Sequence, residues 1–278
     1  MIQIICWNIA KKKKPWHTLQ QMANEGKADV ALLQECGNPP IVSLDFFQYD
    51  SKILWDKKLY DRWPLVVKLS DRVDIQWFQQ VPPISGVEEN TVATSGIGTS
   101  AIAKVIPCDH QQKPFIVVSM YARWMMPHPS TNTKWKVGQS DTSAHRIISD
   151  LSAFIGHDDP SNHRILAAGD LNLIWDRHIM AERERTVWAR MEALGLEFLG
   201  PQLPNGRPIT EIPSYLSPDT KNVPTYHTIS EKPLSATRQL DYVFASRGFH
   251  KEISVQALNN PEEWGPSDHC RLLIKVGE

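Results

Sequence analysis

The chain has 278 residues, of which 41% are hydrophobic and 22% charged, with a formal net charge of −1. This composition is typical of a globular protein with a large core and excludes a disordered chain. It also excludes binding of nucleic acid through a strong overall positive charge, so any contact with a polyanion must use a local basic patch.

The first residues open directly into an apolar segment, without the basic leader and small-residue cleavage site of a secretory signal. No apolar run reaches the roughly 18 residues that a membrane span needs. The four cysteines are far apart and form no CxxC pair, which favours buried free thiols over disulfides or zinc ligands. They are Cys6, Cys36, Cys108 and Cys270. We therefore expect a cytoplasmic protein with no membrane partner.

Apolar runs bounded by Gly, Pro or polar residues predict ten strands. In chain order they are Ile2–Trp7, Val30–Gln34, Pro64–Leu69, Val73–Gln79, Gly98–Val105, Phe115–Tyr121, Ile165–Ala168, Leu240–Ala245, Ile253–Leu258 and Leu272–Val276. Helical spacing of apolar residues predicts helices over Trp16–Asn24, Asp141–Ile155 and Glu182–Leu194. Either Ser140 or Asp141 is expected to cap the second helix.

Helices separate the early strands, whereas Pro64–Gln79 and the pair of runs that follows it look like antiparallel hairpins. A mixed α/β sandwich therefore fits better than an all-parallel fold. No repeat or break in composition marks a boundary, so we expect one domain over residues 1–278. The proline-rich stretch Pro201–Pro224 has little periodicity, which favours a functional surface loop over a linker.

Polar side chains that can bind a metal ion or move a proton stand at the ends of several predicted strands. Asn8 follows the first strand, where an asparagine is commonly a turn former. Glu35 ends a buried strand, and a carboxylate there needs either a metal ion or a salt bridge, for instance to a lysine. Tyr121 ends another strand and fits either an aromatic at the rim of a cleft or a phosphate contact.

The second half of the chain carries the same pattern. Asp170 and Asn172 come just after a strand, at a spacing that points both side chains the same way if the strand continues. Asp241 lies within an apolar run, so its carboxylate needs a donor, and an imidazole N–H is a natural one. Asp268 and His269 follow a Gly-Pro turn. Each residue alone has a structural explanation, but together they indicate a metal-dependent phosphoester site.

Six motifs, in order along the chain, resemble the endonuclease/exonuclease/phosphatase superfamily. That group includes DNase I, exonuclease III-like and abasic-site endonucleases, neutral sphingomyelinases and inositol polyphosphate 5-phosphatases. The motifs are Trp7-Asn8-Ile9, Leu33-Gln34-Glu35, the strand ending in Tyr121, Gly169-Asp170-Leu171-Asn172, Gln239-Leu240-Asp241-Tyr242 and Ser267-Asp268-His269. The resemblance covers nearly the whole chain and implies a four-layer α/β/β/α sandwich of two mixed, mainly antiparallel sheets.

The resemblance also implies a metal ion and its ligands. Glu35 would be the principal carboxylate ligand, helped by Asn8 and Asp268, and Tyr121 would bind the substrate phosphate. Oxygen donors without a cysteine or a cluster of histidines favour Mg²⁺ or Mn²⁺ over zinc.

For the catalytic groups, the resemblance implies that Asp170, oriented by Asn172, positions or deprotonates the attacking water. His269, held by Asp241, would contact the scissile phosphoryl oxygen. Either His269 or Asp170 could be the general base.

Local positive charge near these motifs could bind the substrate. Lys12 and Lys13 belong to four consecutive lysines after Asn8 and could contact a phosphate backbone or form a solvated loop. Arg146, early in a predicted helix, is either another phosphate contact or an ordinary surface arginine. Arg238 stands where abasic-site endonucleases carry an aromatic residue, which puts that specificity in doubt and suggests a further anion contact.

Three tryptophans close to the motifs could stack on exposed bases, or they could be core residues. They are Trp124, Trp175 and Trp264. Together these features predict a Mg²⁺-dependent phosphodiester hydrolase, a monomeric intracellular nuclease that acts on DNA, or on RNA, by in-line attack of water. One alternative is a phosphatase or phosphodiesterase for a small or lipid phosphoester. Another is a non-catalytic binding module that kept the scaffold.

Overall fold

The computed structural model describes residues 1–37, 47–50, 62–95, 98–131, 140–155, 159–178 and 182–277. Its α-helices and β-strands are, in chain order, β1 (Ile2–Asn8), α1 (Lys14–Asn24), β2 (Val30–Gln34), β3 (Gln48–Tyr49), β4 (Leu65–Lys68), β5 (Val73–Trp77), β6 (Gln79–Val81), β7 (Thr91–Ala93), β8 (Ser100–Pro107), β9 (Phe115–Tyr121), α2 (Ser140–Ile155), β10 (Ile165–Asp170), α3 (Glu182–Ala193), β11 (Leu196–Gly200), β12 (Asp241–Ser246), β13 (Ile253–Leu258) and β14 (Arg271–Val276). Within the described ranges, no helix has both the length and the apolar character needed to cross a membrane.

Two six-stranded sheets form the body of the molecule. The first has the strand order β13-β14-β1-β2-β4-β3, and the second has the order β11-β12-β10-β9-β8-β5. Parallel pairing joins β1 to β2 and β9 to β10, whereas the other neighbours in these two sheets pair antiparallel. The predicted mixed, mainly antiparallel architecture is confirmed.

Alternation of side chains along the strands creates separate core layers, because neighbouring residues of a strand face opposite sides of the sheet. In β1, Ile4 and Cys6 belong to the core between the sheets, whereas Ile5 and Trp7 belong to the core beneath α1. The outer face of the second sheet packs against α2 and α3. The order of layers is therefore helix, sheet, sheet, helix, as the resemblance implied.

The same alternation carries polar residues into the layer between the sheets. Asn8 follows Ile4 and Cys6 on one side of β1, and Asp170 follows Ala168 on one side of β10. A polar group in such a layer is costly unless it has hydrogen-bond partners. Each of these two strand ends must therefore find its partners across the gap between the sheets.

Two predictions about local organisation were wrong. Residues 64–79 do not form a hairpin, because β4 belongs to the first sheet and β5 to the second. The turn between them is anchored to the first sheet through Asp29, whose carboxylate accepts hydrogen bonds from Ser70 Oγ at 2.5 Å and Arg72 Nε at 2.7 Å. The predicted strand Val73–Gln79 is interrupted at Phe78, after which β6 pairs with β7. The second predicted hairpin, formed by β8 and β9, is confirmed.

The cysteines are free thiols, and three of them are buried: Cys6, Cys36 and Cys270. Cys108 is exposed, contrary to the expectation of burial. It directly follows the last residue of β8 and belongs to the turn that leads to β9.

Candidate active site

Three acidic or phenolic side chains lie side by side at the ends of three adjacent strands of the second sheet. In the pairing register, Asp170 of β10 lies opposite Tyr121 of β9 and opposite Asp241 of β12. Residues in register share one face of a sheet. All three therefore project into the layer between the sheets, at the edge where strands of the first sheet also end.

Gly169, just before Asp170, is needed for this close arrangement. A Cβ atom at this position would lie 1.9 Å from the Met120 carbonyl oxygen of the neighbouring strand. Only glycine lets the two strand backbones approach this closely. The glycine of the Gly-Asp-Leu-Asn motif thus acts by bringing Asp170 beside Tyr121.

Asp170 is fully buried and accepts hydrogen bonds from both sheets. Its Oδ2 accepts from Asn8 Nδ2 at 2.9 Å and from Asn172 Nδ2 at 3.0 Å, and its Oδ1 accepts from the Asn172 backbone N–H at 2.7 Å. Asn172 has a left-handed φ of 51°, so the strand does not continue through it as assumed. Its side chain reaches Asp170 through a turn, a conformation that asparagine tolerates well.

His269 is held in place from two directions. Its Nδ1 lies 2.8 Å from Asp241 Oδ2, and its backbone carbonyl accepts a hydrogen bond from Trp7 Nε1 at 2.9 Å. Its other ring nitrogen, Nε2, lies 3.9 Å from Asp170 Oδ2. The ring of Tyr226 packs against the imidazole, with 4.9 Å between ring centroids. The imidazole is thus oriented between two carboxylates.

The acidic surroundings control the charge of this pair. Burial raises the pKa of Asp170 to about 7, although the nearby His269 acts in the opposite direction. Burial by itself would lower the pKa of His269, but the carboxylates of Asp241, Asp170 and Asp268 outweigh it and raise that pKa to about 10. The surrounding carboxylates therefore favour the protonated imidazole of His269.

Glu35 stands immediately after β2 with a left-handed φ of 50°, which is uncommon for a residue other than glycine and is typical of functional sites. Its Oε1 accepts a hydrogen bond from the Tyr121 hydroxyl at 3.0 Å, and its Oε2 forms an ion pair with Arg62. Tyr121 thus contacts this carboxylate. The sequence also left open a salt bridge as the partner of Glu35, and the structure contains one, formed with an arginine and not with a lysine.

These residues open onto one cavity of about 1090 Å³. Glu35, Tyr121, Asn172, Asp268 and His269 all line it, although they come from segments far apart in sequence. The predicted catalytic and metal-binding side chains are therefore brought together, with Asn8, Asp170 and Asp241 buried behind the cavity wall.

No protein-family model and no curated protein matches the sequence. Solved structures do match. The AP endonuclease LMAP from Leishmania major aligns over 100% of this chain and 88% of its own, with a TM-score of 0.65 and 17% identity. The 3′-5′ exonuclease NExo from Neisseria meningitidis aligns over the full length of both chains, with a TM-score of 0.62 and 12% identity. The endonuclease domain of the TRAS1 retrotransposon aligns over 99% and 98%, with a TM-score of 0.60 and 16% identity.

The chain has the DNase I-like fold. The resemblance to the endonuclease/exonuclease/phosphatase superfamily, inferred from six short motifs, is confirmed at the level of the fold.

The predicted substrate-binding residues fall into two groups, those that line the cavity and those that lie outside its described lining. Lys12 and Arg238 line the cavity. Lys13 is exposed just before α1 and outside the described lining, and Arg146 is exposed on α2, where its charge acts on Asp150. Trp175 is half-buried and packs against the core beside α3, with 4.7 Å between its ring centroid and that of Trp188, and it lies outside the described cavity lining.

The other two tryptophans also differ in environment. Trp264 is buried and packs near His227, with 5.3 Å between ring centroids. Trp124 is 51% exposed and lines the cavity. The sequence left open whether these rings are core residues or contacts for bases, and only Trp124 is placed to contact a substrate in the cavity.

Several cavity residues were missed in the sequence. Tyr226 lies in a segment without strand periodicity, so the pattern of apolar residues does not single it out. The available signal was its place between Thr225 and His227, two polar residues that precede the Leu-Asp-Tyr motif. The others are charged residues at the starts of helices or in loops, where surface charge is common and uninformative. They are Arg62, Asp141, Arg177, Arg183 and Glu184.

The donor set fits a hard divalent cation. Glu35 and Asp268 offer carboxylate oxygens to the same cavity. Behind the cavity wall, the amide oxygen of the buried Asn8 accepts a hydrogen bond from the Ala10 N–H at 3.0 Å. No group of three or more His, Cys, Asp or Glu side chains among the described residues is arranged to hold a metal. One or two carboxylates supplemented by water and substrate oxygens are the usual environment of Mg²⁺.

Proposed function

We propose that the protein is a divalent-metal-dependent phosphodiester hydrolase that acts on nucleic acid, with DNA favoured over RNA. The observation that carries this proposal is the arrangement of His269 Nε2 3.9 Å from Asp170 Oδ2, beside a cavity that Glu35 and Asp268 also line. A protonated donor, a buried carboxylate and oxygen ligands for a cation are the groups that hydrolysis of an anionic phosphoester needs.

In the proposed reaction, Asp170 accepts a hydrogen bond from the attacking water and takes its proton as the new P–O bond forms. The ester P–O bond opposite the attacking water breaks, and the leaving oxygen takes a proton from solvent. The carboxylate of Asp170 is already oriented by three N–H donors from Asn8 and Asn172, so little reorganisation is needed. His269 donates from Nε2 to a phosphoryl oxygen and stabilises the negative charge that develops there. Asp241 fixes the ring through Nδ1 and keeps the imidazole protonated.

Glu35 and Asp268, with Asn8, would hold Mg²⁺ or Mn²⁺. When bound, the cation would neutralise charge on the phosphate and make attack at phosphorus easier. Arg62 now pairs with Glu35, so the arginine and the cation would compete for the same carboxylate.

The activities named for the similar solved structures support nucleic acid as the substrate. LMAP and the Archaeoglobus fulgidus protein are AP endonucleases, and the Neisseria 3′ phosphatase NExo was solved with a product DNA hairpin. In this chain, Lys12 and Arg238 offer positive charge in the cavity, and within the described part of the chain neither has a carboxylate within ion-pair distance. A monomeric state and a cytoplasmic location are part of the same proposal.

The test is cleavage of supercoiled plasmid, single-stranded DNA and RNA by the pure protein, with Mg²⁺ or with EDTA. We expect metal-dependent cleavage of DNA that is lost in Asp170→Asn, a variant that keeps the size of the side chain. Cleavage that persists in EDTA, or hydrolysis only of small or lipid phosphoesters without inhibition by DNA, would count against the proposal.

A further inference from the structure

A second pair of carboxylates lines the same cavity, away from the proposed catalytic residues in sequence and unused by the reaction above. Asp141 is in the first turn of α2 and Glu184 in the first turn of α3. Asp141 is only 3% exposed. Its Oδ2 lies 3.0 Å from Arg183 Nε, but its Oδ1 has no hydrogen-bond partner among the described residues.

Glu184 repeats this feature. Its Oε2 is buried without a hydrogen-bond partner in the described part of the chain, and the nearest cation, Arg177 Nη1, is 3.7 Å away. Burial, reinforced by the neighbouring Asp141, raises the pKa of Glu184. Two carboxylate oxygens are thus withdrawn from water and lack donors. Because a buried acceptor without a donor is costly, such groups generally have a ligand or a water as partner.

The nearby arginines indicate which kind of ligand fits. Arg177 and Arg183 already supply two positive charges to the two carboxylates, so a divalent cation would meet no net negative charge. A neutral N–H donor meets no such repulsion and satisfies the free oxygen. Exocyclic amines of nucleobases are donors of this kind, and carboxylates accept from them in base recognition.

The surroundings of Asp141 suit a base. Ser140 Oγ donates to the Asn172 carbonyl at 2.8 Å, which ties the start of α2 to the loop after Asp170. Ser143 Oγ donates to the Arg123 carbonyl at 2.7 Å, which places the same helical turn next to the half-exposed Trp124. An aromatic ring that lines the cavity is a stacking platform for an unpaired base.

We propose that Asp141, with Glu184 beside it, forms a subsite for an unpaired nucleobase of the substrate strand, and that Asp141 Oδ1 accepts a hydrogen bond from the exocyclic amine of that base. The subsite rests on the proposed function and narrows its substrate class to strands with adenine, guanine or cytosine at this position. Thymine and uracil lack the amine. Trp124 stacks on the same base.

The test removes the amine from the substrate, and in the protein it replaces one of the two acceptor oxygens of Asp141 with an NH₂ group. The remaining amide oxygen is expected to stay with Arg183. Single-stranded oligonucleotides with adenine are compared with identical ones in which every adenine is replaced by purine, which lacks the amine. We expect kcat/KM of the wild-type protein to fall at least about fivefold on the purine substrate. Asp141→Asn should lose this discrimination, and Glu182→Gln, an exposed neighbour outside the cavity lining, should retain it.

Two further measurements keep the outcomes distinct. Glu184→Gln tests the subsite should Asp141→Asn fail to fold, and we expect it to weaken the discrimination. Binding of the same oligonucleotides in EDTA, followed by fluorescence anisotropy, gives a readout that needs no catalysis. Amine-dependent binding without any turnover would contradict the proposed function and leave the subsite standing. Turnover or binding that ignores the amine, in the wild-type protein, would overturn the subsite.

Discussion

Asn8 and Asp170 belong to different sheets, and the hydrogen bond of 2.9 Å from Asn8 Nδ2 to Asp170 Oδ2 joins the two sheets at the proposed catalytic centre. Asn8 Oδ1 also accepts from the Ala10 N–H. One buried amide therefore orients the carboxylate and holds the loop that leaves β1.

Replacing Asn8 with alanine is expected to lower kcat about 10- to 100-fold, because Asp170 loses a donor that orients it. Stability should fall by about 1–3 kcal/mol, since buried groups lose partners. Asn222→Ala is the matched control, because Asn222 is buried and donates to the Trp175 carbonyl at 2.7 Å outside the described cavity lining. We expect Asn222→Ala to lower the free energy of unfolding, measured in urea, and to leave DNA cleavage unchanged. Equal activity of both variants would contradict the assigned role.

Gly169→Ala is expected to destabilise the protein by at least about 3 kcal/mol, because the added Cβ would meet the Met120 carbonyl oxygen. Gly26→Ala is the comparison, since Gly26 also has a positive φ but open space around its Cβ position. It should cost only about 1–2 kcal/mol from backbone strain. The two free energies of unfolding are measured by urea denaturation. A cost below about 1 kcal/mol for Gly169→Ala would show that the two strands can move apart to make room for the methyl group.

Substitutions of the two members of the ion pair between Arg62 and Glu35 should change the Mg²⁺ concentration for half-maximal activity in opposite directions. Glu35→Gln removes charge from the proposed ligand and should raise the Mg²⁺ concentration for half-maximal activity about 10-fold or more. Arg62→Ala removes the cation that now pairs with Glu35 and should lower that concentration. Mg²⁺ titrations of DNA cleavage give both values. A rise for Arg62→Ala would mean that the arginine helps the site instead of competing for it.

DNA binding should depend on salt through the cavity lysine and arginine. Lys12→Ala and Arg238→Ala should each reduce the slope of log K against log salt concentration by about 0.7–0.9, because each loses one phosphate contact. Lys13→Ala and Arg146→Ala should leave the slope unchanged, since both side chains are exposed and outside the described lining. Anisotropy titrations in EDTA separate binding from cleavage. The reverse pattern would place the polymer on another surface.

Acid should weaken the ion pair between Arg164 and Glu252, which are joined by two contacts of 2.5 and 2.8 Å. The hydrogen bonds from Arg164 lower the pKa of Glu252. A carboxyl whose pKa is lower in the folded than in the unfolded protein stabilises the folded state at pH values above its ordinary pKa. This stabilisation is lost as the pH falls through the folded-state pKa. Because the pair is partly exposed, Glu252→Gln should cost less than about 1 kcal/mol at pH 7.

The cost of Glu252→Gln should shrink as the pH falls below about 4. Urea denaturation at a series of pH values measures it. The exposed Glu211→Gln serves as the control and should show no such trend. A cost that stays constant down to the lowest pH would mean that packing of Arg164 against Phe249, at 4.2 Å, carries the effect.

Most of the layered fold could be read from alternation and apolar runs, because these are properties of a few consecutive residues. Pairing of neighbouring runs could not be read in the same way. The turn between β4 and β5 looks like a hairpin in sequence, yet Asp29, about forty residues away, anchors it to one sheet while β5 joins the other.

The amino-acid sequence by itself determined which polar residues stand at strand ends and, through their even or odd position, that Asn8 shares a side of its strand with Ile4 and Cys6, and Asp170 a side with Ala168. Which side faces the other sheet was decided by the tertiary structure. Tertiary structure alone decided the partners of the polar residues: Arg62 beside Glu35 and Tyr226 against His269. It also decided that Trp175 packs against the core whereas Trp124 lines the cavity. The physical reason is that alternation follows from the local backbone, whereas these contacts depend on how segments distant in the chain pack together. The same holds for Asp141 Oδ1, which lacks a hydrogen-bond partner among the described residues, because its surroundings form only where α2 packs against the loop after Asp170.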